Sequence, residues 1–144
     1  MFISFVVFGC GKGKFETVPK LKFKSQSTDV VAVNGTYNVR LEYTDKEGDV
    51  SDSLIIVRQR LNKNGPVTPA PSPYKIPNFP NTQKGEFEVD FRYSLDLTFN
   101  IPRIRVIGSN PVQYEPDTML LKFVARDKAG NKSDTAATNV IVNR

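Results

Sequence analysis

The sequence predicts an all-β sandwich, and three observations carry this prediction. Hydrophobic and polar side chains alternate in several separate stretches, which is the period of strands with one buried face. Clusters of Gly, Pro, Asn and Asp separate these stretches, and no stretch has a convincing helical period. One turn occurs twice, as DKEGD at residues 45–49 and as DKAGN at residues 127–131, and Ser51-Asp52 matches Ser133-Asp134 after it. Together these features predict about seven strands packed in two layers.

The pattern between residues 20 and 60 predicts three strands. Lysines at positions 20, 22 and 24 alternate with Leu21 and Phe23, so we expect an edge strand with a solvated lysine face, which residues 30–33 would continue. Residues 36–44 alternate without interruption and predict a half-buried strand. Residues 54–57 are apolar on both faces, as in the middle of a sandwich, and Arg58 to Arg60 are expected to bring that strand out to solvent.

The stretch from 62 to 85 differs from the rest, because six prolines fall between positions 66 and 80. Proline lacks the N–H that a sheet ladder needs, so this stretch is not a central strand. It predicts a long extended loop, either a ligand for SH3-type domains or a surface crossover pinned by Tyr74, Ile76 and Phe79.

The second half begins with an unusually long alternation, from Glu86 to Ile101. Because strands are usually about 5–6 residues long, we expect a bend near residues 94–96 that divides it into two strands. Residues 104–107 predict a short strand or edge piece, and residues 108–111 a turn. The last two strands are expected around residues 119–125 and 140–142.

Composition excludes several classes of function. The net charge of +5 is uneven: residues 1–24 carry five lysines and one glutamate, whereas residues 25–144 carry 15 basic and 14 acidic side chains. A nearly neutral body lacks the basic stripe of a nucleic-acid-binding protein. With no His and one Cys, the chain lacks the usual general base and cannot form an internal disulfide. Glu86 and Glu88 are expected on a solvated face, so we predict no enzyme activity.

The head combines a short apolar run, residues 2–8, with Gly9 and Cys10. The run is shorter than the roughly 20 residues of a membrane-spanning helix. It resembles the lipobox of bacterial lipoproteins, which implies cleavage before Cys10 and acylation of that residue. A basic n-region is missing, as in a truncated signal peptide, and Phe8 is bulkier than usual. The alternative is a buried N-terminal strand with an incidental cysteine.

Two longer stretches suggest a family. The sequence VARDKAGNKSDTAATNVIV resembles the final strand, turn and strand of bacterial immunoglobulin-like domains, in the broad fibronectin III and cadherin-like sense. The sequence LEYTDKEGDVSDSLIIV resembles a motif of small Bacteroidetes lipoproteins, whose lipobox is also followed by a P-x-L-x-F strand, here residues 19–23. Many such proteins have no assigned function.

This resemblance implies a two-part organisation. Residues 1–18 would be a truncated signal peptide, lipobox cysteine and tether, and residues 19–144 an immunoglobulin-like antiparallel β-sandwich. It also implies an outer-membrane lipoprotein of the bacterial cell envelope. Surface-exported members carry acidic residues after the cysteine, whereas Gly and Lys follow Cys10, which favours the periplasmic face.

The same topology suggests a Ca²⁺ site. In an immunoglobulin-type sandwich the loop after the second strand and the last hairpin turn lie at the same end, which would gather acidic and amide side chains that suit calcium. These residues are Asp45, Glu47, Asp49, Asp52, Asp127, Asn131 and Asp134. The alternative is that these side chains only shape the turns, by bonding to nearby backbone N–H groups. No other cofactor is expected.

The overall expectation is a non-catalytic, membrane-anchored module that binds an envelope protein or has a structural role. A glycan-binding role would use Tyr74, Phe79 and Tyr114, although these aromatics also suit core packing. Three Asp-Ser/Thr-apolar triplets match the O-glycosylation signal of the bacterial group, with acceptors at Ser53, Thr118 and Thr135.

Overall fold

Nine strands form two sheets in the computed structural model, which describes residues 2–7 and 17–144. The all-β prediction is therefore confirmed. The strands are β1 (Phe2–Val7), β2 (Lys20–Gln26), β3 (Val30–Val31), β4 (Thr36–Thr44), β5 (Ser53–Arg60), β6 (Ser72–Lys75), β7 (Lys84–Arg92), β8 (Asp117–Arg126) and β9 (Ala136–Val142).

The first sheet has the order β1-β7-β4-β2 and the second has the order β3-β9-β8-β5-β6. Neighbouring strands are antiparallel, except that β3 runs parallel to β9. The expectation that residues 30–33 continue the first body strand is wrong, because the chain crosses from the first sheet to the second between β2 and β3. The lysines of β2 are exposed on an edge strand as predicted. Phe23 is exposed too, and the register of β2 shifts between Phe23 and Ser25.

One hydrophobic core joins the two sheets, and period-two alternation builds it. The Phe91 ring on β7 meets the Phe123 ring on β8 edge-on, with centroids 6.3 Å apart. The first sheet contributes Leu21, Tyr37, Val39, Leu41, Tyr43, Phe87, Val89 and Phe91, and the second contributes Val31, Leu54, Ile56, Met119, Leu121, Phe123, Val140 and Val142.

The long alternation does not form two strands. It ends at Arg92, and a π-helical turn, Tyr93–Leu97, follows. The bend expected near residues 94–96 corresponds to this turn, but the prediction of a second strand after it is wrong. Nor do residues 104–107 form a strand, apart from an isolated bridge between Arg105 and Tyr114.

The proline-rich stretch begins at the edge of the second sheet and ends against the first sheet. It includes β6, an edge strand on β5, and Ile76 is fully buried while Tyr74 and Phe79 pack against the core, as predicted. The expectation for Arg58 and Arg60 is wrong, because both side chains are buried against backbone carbonyls of surrounding loops.

The first described segment forms a strand. Residues 2–7 pair with β7 from Phe2 opposite Asp90 to Val7 opposite Gly85, and Ile3 enters the core. This arrangement matches the alternative of an N-terminal strand. Cys10 and the rest of the predicted tether up to residue 16 lie outside the described residues. Among the residues described, no helix has the length and hydropathy needed to cross a bilayer.

Candidate functional site

The two copies of the repeated turn lie side by side at one end of the molecule. Asp45 directly follows β4 in the first sheet, and Asp127 directly follows β8 in the second. The backbone N–H of Lys128 donates to the carbonyl of Asp49, with 3.3 Å between N and O. The turns therefore connect the two layers.

Each turn needs its glycine. Gly48 and Gly130 have φ values of 68° and 90°, which L-residues with a side chain rarely adopt. Gly48 also lies against the Pro-rich stretch, since Thr82 donates its N–H to the Gly48 carbonyl at 3.0 Å. A Cβ at position 48 would lie only 2.6 Å from that Thr82 nitrogen. The predicted turn chemistry is thus confirmed.

Three carboxylates from these turns converge. One oxygen from each of Asp45, Asp49 and Asp127 lies within 4.8 Å of the other two. Asp45 and Asp127 are buried, and Asp49 is half-buried. In the described ranges, 2–7 and 17–144, no Lys or Arg forms an ion pair with any of the three.

Asp45 is the most constrained of the three. Its Oδ2 accepts the backbone N–H of Asp49 at 3.0 Å, while its Oδ1 is buried without a hydrogen-bond partner in the described structure. Burial raises the pKa of Asp45 to about 6. The backbone N–H of Asp49 opposes this rise, whereas a hydrogen bond between the Asp45 and Asp49 carboxyl groups and the negative charges of Asp49 and Glu47 add to it. This carboxylate therefore lies buried beside other acidic groups.

Asp127 has a local hydrogen-bonding role. Asn131 donates its backbone N–H to Oδ1 and its side-chain N–H to Oδ2, each at 2.8 Å. These contacts close the second turn in the way that the turn-geometry alternative expects. They leave lone pairs on both carboxylate oxygens.

The remaining predicted calcium ligands are not members of the three-carboxylate cluster. Asp52 pairs with Arg126 at 2.7 Å and accepts from the Ser53 hydroxyl at 3.0 Å. Asp134 is exposed and accepts the backbone N–H of Leu21 at 2.7 Å. Glu47 is exposed beside the cluster. The structure therefore brings together three of the seven residues, with Asn131 bonded to one of them.

The other predicted site residues do not form one surface. Phe79 packs on Tyr43 and Phe87 in the core, Tyr74 lies half-buried against that core, and the Tyr114 ring holds Arg103 at 5.1 Å. Of the predicted glycosylation acceptors, Ser53 is half-buried in β5, Thr118 is exposed within β8, and Thr135 is exposed in the loop before β9.

A buried ionic network was missed from the sequence. Arg60 and Arg144 both contact Asp117, at 3.1 and 3.2 Å, and all three side chains are buried. Their backbone partners are the carbonyls of Gly65, Pro102 and Ile101. No local signal marks this network, because its members come from separate parts of the chain.

The outer face of the first sheet carries a ladder of opposite charges. Lys84 pairs with Glu42 at 3.2 Å, Arg40 lies 3.7 Å from Glu88, and Lys24 pairs with Glu86. Glu86 is buried, so the expectation that Glu86 and Glu88 share a solvated face is wrong for Glu86.

Comparisons with known proteins assign no family. No family model matches the chain, and no curated protein matches it. Among solved structures, an alkylpurine DNA glycosylase from Pseudomonas fluorescens bound to DNA has a TM-score of 0.49 and 8% identity over 89% of this chain. A Niemann-Pick type C2 protein from the Japanese carpenter ant has a TM-score of 0.47 and 13% identity over 91% of this chain and 100% of its own.

A third structure, a sporulation control protein from Bacillus subtilis, has a TM-score of 0.44 and 10% identity over 88% of this chain and 50% of its own. The chain spans only 31% of the glycosylase. All three TM-scores are below 0.5, so these similarities of backbone shape carry no functional inference.

Proposed function

We propose that the chain is a non-catalytic protein-interaction module of the bacterial cell envelope, built on an immunoglobulin-like sandwich. The strand order supports this topology. In immunoglobulin-type domains, strands A, B and E share one sheet and strands C, F and G share the other. Here β2, β4 and β7 take the first set of positions and β5, β8 and β9 take the second.

The position of β1 carries the interaction part of the proposal. It pairs with β7 on the side where strand D stands in an immunoglobulin-type sheet, although it comes from the start of the chain. Cleavage before Cys10 would remove β1 and leave the β7 edge with an unpaired row of N–H and C=O groups. Such an edge binds an extended segment of another protein by strand addition.

The lipid anchor completes the proposal. Acylation of Cys10 would hold the domain at the outer membrane, facing the periplasm, and more than one acyl chain makes that attachment firm. Acylation of Cys10 and hydrolysis of the Gly9–Cys10 peptide bond are then two steps of one maturation pathway, and the second step would open the β7 edge only after export.

Metabolic labelling with a radioactive fatty acid tests the anchor. We expect label in the wild-type protein and none in Cys10→Ala, and we expect the wild-type mature chain to begin at Cys10 by mass spectrometry. Equal label in both proteins, or an unprocessed wild-type chain, would refute the lipoprotein proposal.

Site-specific photo-crosslinking tests the interaction edge. A photo-reactive residue at Glu88, opposite Ser4 in β1, should capture an envelope protein in processed wild-type cells but not in the Cys10→Ala background, which retains β1. The same probe at the exposed Ile107 serves as the matched control. If the Glu88 probe captures the same partner in both backgrounds, β1 does not cover the edge.

A further inference from the structure

The cluster of Asp45, Asp49 and Asp127 is the strongest unassigned feature of the molecule. Two of the carboxylates are buried and the third is half-buried, and the two turns that carry them belong to different sheets. Like charges this close, away from bulk water, oppose folding unless something compensates for them. The compensating group must be a proton or a cation.

The unpartnered oxygen of Asp45 points to a ligand. Asp45 is 0% exposed and one of its carboxylate oxygens lies within 4.8 Å of an oxygen of Asp49 and of Asp127, yet its Oδ1 has no hydrogen-bond partner in the described structure. Buried carboxylate oxygens are almost always hydrogen-bonded or bound to a metal. Turn geometry does not explain this atom, because only Oδ2 of Asp45 is used to close the first turn.

We infer that these three residues bind a divalent cation of the calcium class at the end of the sandwich. Calcium takes six to eight oxygen ligands at about 2.3–2.6 Å, so two opposite ligands stand about 4.6–5.2 Å apart. The mutual spacing of the three oxygens, within 4.8 Å, fits one such coordination shell. Waters and the exposed Glu47 can supply further oxygens from the solvent side.

The cation would join the two sheets. Asp45 and Asp49 belong to the loop after β4, and Asp127 belongs to the loop after β8, so one ion would hold both loops in the native arrangement. The hydrogen bond from Lys128 to Asp49 already places the two loops in contact. A ligand that binds only the folded state raises the midpoint of thermal unfolding.

Thermal unfolding with and without calcium is the first test. In wild-type protein treated with a chelator and then given millimolar CaCl₂, we expect the midpoint to rise by about 5 °C. Asp45→Asn and Asp127→Asn keep the side-chain shape but remove a charge, and we expect them to lose this rise. Asp134→Asn is the matched control, because Asp134 lies in the same second loop but outside the cluster.

Terbium luminescence is the second test, and it does not depend on stability. Tyr43 lies two residues before Asp45 and can sensitise Tb³⁺ bound in the cluster. We expect a tyrosine-sensitised signal in wild type and in Asp134→Asn, displaced by calcium, and a weak signal in Asp45→Asn. No midpoint shift and no displaceable signal in wild type would overturn the inference. So would a full shift in Asp45→Asn, or a shift with MgCl₂ and none with CaCl₂.

Discussion

At the scale of single residues, burial decides which ion pairs contribute to stability. Arg60 and Asp117 are 3% and 1% exposed, whereas Arg126 and Asp52 are 43% and 38% exposed at a shorter distance. Removing one partner of a buried pair leaves a charge in a low dielectric, but water screens an exposed pair. The longer contact should therefore be the more costly one to break.

Asp117→Asn tests this difference. We expect it to lower the free energy of unfolding by about 3–5 kcal/mol, because Arg60 and Arg144 would both lose their carboxylate. Asp52→Asn is the matched control, and its loss should be much smaller, because water screens the exposed pair between Asp52 and Arg126. Urea denaturation measures both, and equal losses would contradict the dominance of burial.

Tyr37 predicts a loss of stability at alkaline pH. Burial, together with the negative charge of Asp29, raises its pKa well above the ordinary value of 10.0. The folded state keeps the hydroxyl protonated, while the unfolded state releases the proton near pH 10. The stability from Tyr37 is therefore present below pH 10 and is lost as the pH rises above it.

Tyr37→Phe separates this effect from the hydrogen bond that the hydroxyl donates to Gln26 at 2.9 Å. At pH 8 the variant should be less stable by about 1 kcal/mol, from the lost hydrogen bond. Between pH 9 and pH 11.5 its free energy of unfolding should fall less steeply than that of wild type. If the free energies of unfolding of wild type and Tyr37→Phe fall in parallel over this pH range, the Tyr37 hydroxyl does not cause the alkaline loss of stability.

At the scale of elements, the alternation of apolar and polar residues predicted most strands correctly but wrongly predicted a strand after Arg92. Tyr93, Leu97 and Ile101 are spaced by four, so the same residues satisfy both a strand and consecutive helical turns. The structure buries these three and leaves Leu95 and Phe99 54% and 53% exposed. Asp96 stabilises the turn by accepting the Arg92 backbone N–H at 2.8 Å, and its side chain pairs with that of Arg92. The alternation alone could not distinguish these two arrangements.

The candidate site was partly predictable for a similar reason. The repeated turn is visible in the sequence, and the expectation that both copies lie at one end is met, because Lys128 bonds to Asp49. The sequence could not predict which three of the seven oxygen-bearing residues form the cluster. Asp52 and Asp134 are held by Arg126 and by the Leu21 N–H, and Leu21 is 113 positions away from Asp134 in the chain.

The strand β1 gives a prediction at the same scale. Ile3→Asp places a charge at a buried position opposite Val89, so β1 should detach from β7 in the unprocessed chain. Hydrogen exchange measured on Cys10→Ala, with and without Ile3→Asp, should show faster exchange in β7 when the charge is present. Ser4→Thr is the control, because Ser4 is only half-buried and the change adds no charge opposite Glu88. Unchanged β7 protection would show that β1 does not cover this edge.

At the scale of the whole molecule, the two sheets form one cooperative unit, because they share one core and exchange chain at several points. The crossover from β2 to β3 takes the chain from one sheet to the other, and β3 then pairs with the last strand. Neither sheet can bury its inner face without the other. Loss of packing between the layers should therefore unfold both together.

Phe123→Ala tests this cooperativity, since Phe123 lies on β8, is fully buried and meets Phe91 of the other sheet. We expect a loss of about 3–5 kcal/mol in the free energy of unfolding. Ile107→Ala is the matched control: Ile107 is 97% exposed, so its truncation should change stability by less than about 0.5 kcal/mol. Hydrogen exchange on Phe123→Ala should show β4 and β8 losing protection at the same denaturant concentration. If β8 opens while β4 stays protected from exchange, the two sheets are separate folding units. A cation bound between their loops would then stabilise only the contact between the two loops and not the whole domain.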